Sequence, residues 1–357
     1  VNEKRIQQLL RLSYILLILL VLFLIMKLSP LWVLILQVLF RVFAPFIIAV
    51  IISYLLHPIV ETLHAFGIKR TYAVTMIFLL FFLGVGIIAV LGAPYVYKQI
   101  RAMFEQLPFW MQKINQWTNI FNERMTSLPL GLQTRFNDWL FNVEQFAENG
   151  AEKLGQWLIH FFQSLIYFII IPFLVFYFLK DYKLMEKVIW YFTPREWRKK
   201  GYALLKDIDV TLGNFIRGQV IVSLFAGILS AIALALISVN YALILGLFIG
   251  VTNIIPYFGP IIGMIPAALV ALFESWQKSL LTIIVLLIVQ QIEGNILSPI
   301  IVGKTLQLHP VLIMFALLFG VEIGGIVGLI LAVPLLAILK VIILHIRKNI
   351  HEQWGDR

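Results

Sequence analysis

Apolar runs of bilayer-spanning length constrain this chain more than any other feature of its sequence. Leu12 to Leu28 opens with "LSYILLILLVLFLIM", and further runs follow at about 31–56, 72–93, 158–179, 219–238, 241–272, 279–298 and 310–345. A helix needs about 20 apolar residues to cross a ~30 Å hydrocarbon core. Lipid offers backbone N–H and C=O groups no partners, so the helix must satisfy its own. Composition agrees: 61% of residues are hydrophobic and 13% charged, and mean hydropathy is +0.95. Soluble domains carry roughly 45–50% apolar and ~25% charged residues. The chain therefore reads as an all-α polytopic membrane protein.

The same numbers exclude several functions. There is no cysteine, which removes disulfides, thiolate metal sites and redox pairs. The net charge of +10 reads as basic cytoplasmic loops rather than a nucleic-acid surface. Lys4, Arg5 and Arg11 precede the first run in the charge order of a secretory signal. No small-x-small cleavage site follows, so an uncleaved first span is expected.

With the N-terminus inside, the inner segments hold 19 Lys and Arg and the outer ones 8; with Arg41 inside a span, that accounts for all 28. The positive-inside bias then places both termini in the cytoplasm. The expected organisation is a three-span region (1–94), an extracytoplasmic domain (95–156), a fourth span (157–180), cytoplasmic interfacial helices (181–214), a transport region (215–345) and a cytoplasmic tail (346–357). The 95–156 segment has six basic and six acidic residues with aromatics spaced among them. Phe136, Trp139, Leu140, Val143 and Phe146 recur at helical steps, which predicts small amphipathic helices. "TPRE" at Thr193 to Glu196 is a capping-box start, expected to open a helix along the cytoplasmic face.

Two of the apolar runs are broken. As straight helices, 241–272 and 310–345 would measure ~48 Å and ~54 Å at ~1.5 Å per residue, too long for the core without extreme tilt. Pro256, Gly259 and Pro260 interrupt the first, and Gly324 and Gly325 the second. Gly259-Pro-Ile-Ile-Gly263 aligns with Gly324-Gly-Ile-Val-Gly328, and each run follows one complete span. About six full spans plus two re-entrant helical hairpins in an inverted repeat are therefore expected. Broken helices in lipid are tolerated where they line a cavity, and in transporters they meet at the substrate site. Glycines at four-residue spacing (246/250, 259/263, 320/324/328) allow close helix approach, and glycine-lined surfaces suggest a homo-oligomer.

Polar groups inside the runs are the site candidates. A charge at the bilayer centre costs roughly 3 kcal/mol on insertion scales. Glu293 lies in "QQIEGNILSP" with Gln290, Gln291 and Asn295, Glu322 lies at the second break, and Asn253 at the first. Carboxylate and amide oxygens suit a hard cation such as Na⁺, or a proton. The competing reading pairs Glu293 with Lys304 at the inner interface. Gly303-Lys-Thr305 lacks the earlier glycine of a phosphate loop, His351-Glu352 lacks the second histidine of a metalloprotease, and no G-x-S elbow occurs. No enzyme and no cofactor are expected.

The stretches "FAPFIIAVIISYLLHPIVETL" (43–63), "NIIPYFGPIIGMIPAALVAL" (253–272), "QQIEGNILSPIIVGKTLQLHPVLIMFALLFG" (290–320) and "GGIVGLILAVPLLAIL" (324–339) resemble the autoinducer-2 exporter (AI-2E) family of bacterial inner-membrane transporters. The resemblance implies secondary transport, either Na⁺(Li⁺)/H⁺ antiport or export of the autoinducer-2 signalling molecule. Membrane carboxylates and amides, with no embedded cluster of Asp and Trp to bind a sugar, favour the antiporter. A non-transporting scaffold of the cell envelope is the reading from another class.

Overall fold

A computed structural model describes residues 3–125, 165–195, 198–302 and 308–355. Helix α1 is Glu3–Lys27, α2 Ser29–Ala65, α3 Arg70–Glu105 and α4 Leu107–Met125. Then come α5 Leu165–Lys180, α6 Tyr182–Phe192 and α7 Arg198–Leu236. The last part contains α8 Ala242–Thr252, α9 Phe258–Glu274, α10 Trp276–Ile292, α11 Ser298–Ile301 and α12 Pro310–Gly355. No strand occurs among the described residues.

By length and composition five stretches are apolar enough to cross a membrane, Val42–Ala65, Arg70–Gly92, Lys200–Leu236, Trp276–Ile301 and Pro310–Lys348, the last of them being two helices joined across a kink at Gly325. Leu79, Leu83 and Ile88 stand exposed along α3, a surface that lipid covers at no cost and water does not. The protein is an all-helical, multi-pass membrane protein. Internal prolines at 45, 58, 94, 172, 266 and 334 are tolerated because neighbouring helices and local adjustments re-satisfy the freed carbonyls.

Three clusters hold the helices together. Ala49, Val60, Ala73, Val74, Val175 and Leu179 join α2, α3 and α5. Leu234, Leu245, Ile249, Ala267, Val270 and Leu286 join α7 to α10. Ile216, Ile255, Ile313, Leu317 and Val333 join α7, the α8–α9 connection and α12. Small residues bring α7 against α8: a Cβ on Gly246 would lie 2.4 Å from the Ala231 Cβ, and one on Gly227 2.9 Å from the Gly250 Cα. These helices pack backbone to backbone, as small-residue interfaces in lipid do.

The structure departs from the expected boundaries in two places. α7 runs 39 residues without a break, ~58 Å at ~1.5 Å per residue. The basic segment and the span after it are one rod, and about half of it lies beyond a ~30 Å core. α3 likewise continues past Pro94 to Glu105, so the span and the start of the 95–156 segment are one helix. Residues 126–164, which carry the Phe136 to Phe146 pattern and the start of the fourth run, lie outside the described residues.

α4 docks on the far end of α9. Trp110 and Trp117 stack on Phe273, with ring centroids 4.9 and 6.0 Å apart. Lys113 Nζ donates to the Phe273 carbonyl, the favourable place for a cation at a helix C-terminus.

Candidate functional site

The first broken run is two short helices, α8 of 11 residues and α9 of 17, joined by a turn through Asn253 to Tyr257. At ~1.5 Å per residue they measure ~16 and ~26 Å, each short of a ~30 Å core. Pro256 sits in the turn and Pro260 in the first turn of α9, the places where a missing N–H leaves no helical hydrogen bond unmade. Tyr257 takes φ 64° and ψ −49°, a strained region for a bulky residue. Gly259 then closes the turn. A Cβ there would lie 2.0 Å from the Thr252 carbonyl oxygen, and one on Gly263 2.8 Å from Thr252 Oγ1. Only glycine lets the two arms touch.

The second broken run reverses within α12. Gly325 adopts φ 55° and ψ −134°, a conformation glycine enters without a Cβ penalty. A Cβ on Gly328 would lie 2.0 Å from the Gly320 oxygen. In a straight helix those residues would be separated by ~12 Å of rise, so the chain folds back. Ile255 of the first turn and Phe258 at the start of α9 pack with Leu317, Ala332 and Val333 in the arms of this second reversal. The contact runs from turn to arms: Glu322 and Ile323, at the second turn, are exposed.

α10 ends in a widened turn. Glu293 to Leu297 form a π-helical segment, a feature that recurs at functional sites. Its local cause is Pro299, which has no N–H for the Asn295 carbonyl and clashes with it. This turn presents Glu293 to the first break: Asn253 Nδ2 donates to Glu293 Oε1 at 2.9 Å. The backbone carbonyl of Asn253 accepts from Gln219 Nε2 of α7 at 2.8 Å. Asn253 is 1% exposed. Because its amide nitrogen faces the carboxylate, its Oδ1 is left buried without a hydrogen-bond partner among the described residues. A lone buried acceptor is costly in a dry site.

The other expected residues fall elsewhere. Gln290 is half-buried beside Val289. Asn295 Nδ2 donates to Gln291 Oε1 at 2.8 Å on an exposed face. Gly324 and Gly325 form the second turn, with Glu322 on its exposed approach. Lys304 lies outside the described residues. Among those residues no group of three or more His, Asp or Glu gathers as a metal site.

Sequence reasoning missed Gln219. Its only signal is a lone amide at the start of the 219–238 run, and its partner is 34 residues away. It also missed a cavity of about 560 Å³ between α2, α5, α6 and α7.

Comparison with known proteins converges on one family. Residues 7–348 match the family described as AI-2E family transporter. A Bacillus subtilis (strain 168) protein named "Putative transport protein YrrI" is 41% identical, over 96% of this chain and 97% of its own length. An Escherichia coli (strain K12) protein named "Putative permease PerM" is 25% identical over 84% of this chain and 86% of its own. A Halobacillus andaensis protein named "Sodium-lithium/proton antiporter" is 27% identical over 82% and 86%. The chain belongs to the AI-2E family of transporters.

Proposed function

We propose that this chain exchanges Na⁺ or Li⁺ for protons at a site centred on Glu293 and Asn253. The observation that carries this is the pairing of a half-buried carboxylate with a buried amide whose own oxygen lacks a partner. Two oxygens of different residues, in a site shielded from water, are what a desolvated hard cation needs. A carboxylate that alternately holds a proton and a cation is the minimal exchanger, since each occupant displaces the other. A relative named as a sodium-lithium/proton antiporter supports the same reading.

On this reading the two reversals are re-entrant hairpins of an inverted repeat that enter a bacterial inner membrane from opposite faces, with both termini cytoplasmic. Gln219 holds the Asn253 backbone, so the first hairpin and α7 move as one. Glu322 meets the opposite aqueous face when the second hairpin shifts. Export of autoinducer-2, suggested by the family description, is the competing cargo.

The test is Na⁺-driven proton flux in vesicles containing the purified chain. Glu293→Gln keeps the shape and the hydrogen bond from Asn253 but cannot titrate. Flux coupled to ΔpH should vanish while the protein still folds. Near-normal flux in this variant would remove the exchanger and favour the signalling molecule as cargo.

A further inference from the structure

The cavity of about 560 Å³ is lined by none of the proposed transport residues. It falls within the ~300–1,000 Å³ range of small-molecule sites. Val50, Phe178, Leu205 and Val210 supply an apolar wall. Its charged lining is lopsided in how it is neutralised. The two carboxylates already face tyrosines: Tyr182 Oη donates to Asp209 Oδ2 at 3.5 Å, and Tyr202 hydrogen-bonds Glu186. The three cations do not face acids. Arg198 stacks on Trp190 at 4.0 Å and donates Nε–H to the Thr193 carbonyl, and Arg217 donates to the Asn214 amide oxygen at 2.8 Å. Among the described residues, none of Arg198, Lys206 and Arg217 has a carboxylate within ion-pair distance. Elsewhere, by contrast, Arg70 pairs with Glu61 at 2.8 Å.

The surroundings point to the membrane surface. Leu184 and Val188, one turn apart on α6, are exposed, and Lys183 and Lys187 beside them are exposed too. That is the pattern of a helix lying in the headgroup layer. Between Lys180 and Arg217 the sequence carries nine Lys and Arg against five Asp and Glu. An occupant must therefore combine an anionic head with an apolar body, next to a leaflet. Basic pockets between membrane helices recognise such headgroups.

We propose that this cavity binds an anionic phospholipid, with its phosphate held by Arg198, Lys206 and Arg217 and an acyl chain laid on Val50, Phe178 and Leu205. Arg198 is fixed in advance by Trp190 and Thr193, so little side-chain freedom is lost on binding. The cavity also touches the transport region. Tyr54 and Ile208 line it and pack against the cluster containing Ile255, Leu317 and Val333. Lipid occupancy thus bears on the wall that supports both reversals.

The experiment uses the full chain in phosphatidylcholine nanodiscs. Phosphatidylglycerol or phosphatidylcholine with brominated acyl chains is added, and Trp190 emission is read as the difference between wild type and Trp190→Phe. Each basic group near an anionic headgroup contributes roughly a five-fold factor. Half-quenching should need at least about tenfold less phosphatidylglycerol than phosphatidylcholine. Arg198→Gln/Lys206→Gln should abolish most of that preference; if this double variant does not fold, Arg217→Gln should lower it about five-fold. Lys183→Gln/Lys187→Gln should keep most of it. An equal loss in that surface variant would mean diffuse charge attraction and overturn the site. Equal quenching by the two lipids, or full displacement by free glycerol phosphate, would overturn it as well.

Discussion

A methyl group at Gly259 would point at the last carbonyl of α8. Its Cβ would stand 2.0 Å from the Thr252 oxygen and 2.7 Å from the Asn253 Cα, and real Cβ atoms essentially never approach closer than 3.0 Å. In Gly259→Ala the arms must therefore part by at least 3.0 − 2.0 = 1.0 Å. The obstacle is backbone, so no side-chain rotation relieves it. Asn253 follows Thr252 directly and moves with it. A 2.9 Å bond to Glu293 stretched by that amount reaches ~3.9 Å, beyond hydrogen-bond range.

Losing a hydrogen bond to a charged group costs about 1.5–3 kcal/mol, or about 10–100-fold in affinity. Overpacking strain of ~1–3 kcal/mol should appear separately, as a lower denaturant midpoint in detergent. The assay is Na⁺ dependence of proton flux in vesicles, with Gly84→Ala as control, because a Cβ there meets nothing within 4 Å. Wild-type stability together with Na⁺ affinity within about twofold of wild type would refute the argument, since it converts each lost 1.4 kcal/mol into a tenfold loss. It would mean that close packing of the arms does not hold Asn253 against Glu293.

Two further outcomes follow from local geometry. Tyr257→Gly should raise the unfolding free energy by about 1 kcal/mol, because relief of a strained positive φ (~1–3 kcal/mol) exceeds the added backbone entropy (~0.5–1 kcal/mol); Tyr257→Val should lower it, and the reverse order in denaturant midpoints would contradict the strain. Burial, and after it the Asp209 carboxylate, hold the Tyr182 phenol above its ordinary value. A phenol with a raised folded-state value stabilises the fold fully below its unfolded value of about 10 and loses that contribution as pH rises through the folded one. Alkaline denaturation of wild type should therefore show a fall above about pH 10 that is shallower in Tyr182→Phe, where other phenols, Tyr54 and Tyr202 among them, still contribute; identical profiles would show that the environment of the phenol does not matter.

The polytopic helical architecture is legible from run length alone, because lipid forces each apolar stretch to satisfy its own backbone. The break at Asn253 to Tyr257 is legible too, since Pro256, Gly259 and Pro260 crowd into five residues of a run too long for the core, whereas single prolines elsewhere stay inside helices. So is the reversal at Gly325, where run length exceeds what the core admits. Glu293 and Asn253 stand out singly, as polar groups in apolar surroundings. Their meeting is a different matter. They are 40 residues apart, and nothing in the periodicity of either segment specifies the other. The pairing arises because Gly259 lets α9 touch α8, Gln219 of α7 ties the Asn253 backbone, and the turn before Pro299 swings Glu293 inward. The same logic leaves Glu322 outside, although its local sequence resembles that of a site: the second reversal packs through its arms, and its turn stays exposed. The continuity of α7 also escapes pattern reading, because a basic, amphipathic start and an apolar end look like two elements. Local chemistry decides where a chain can bend. Only the packing of distant segments decides which of its polar groups face each other.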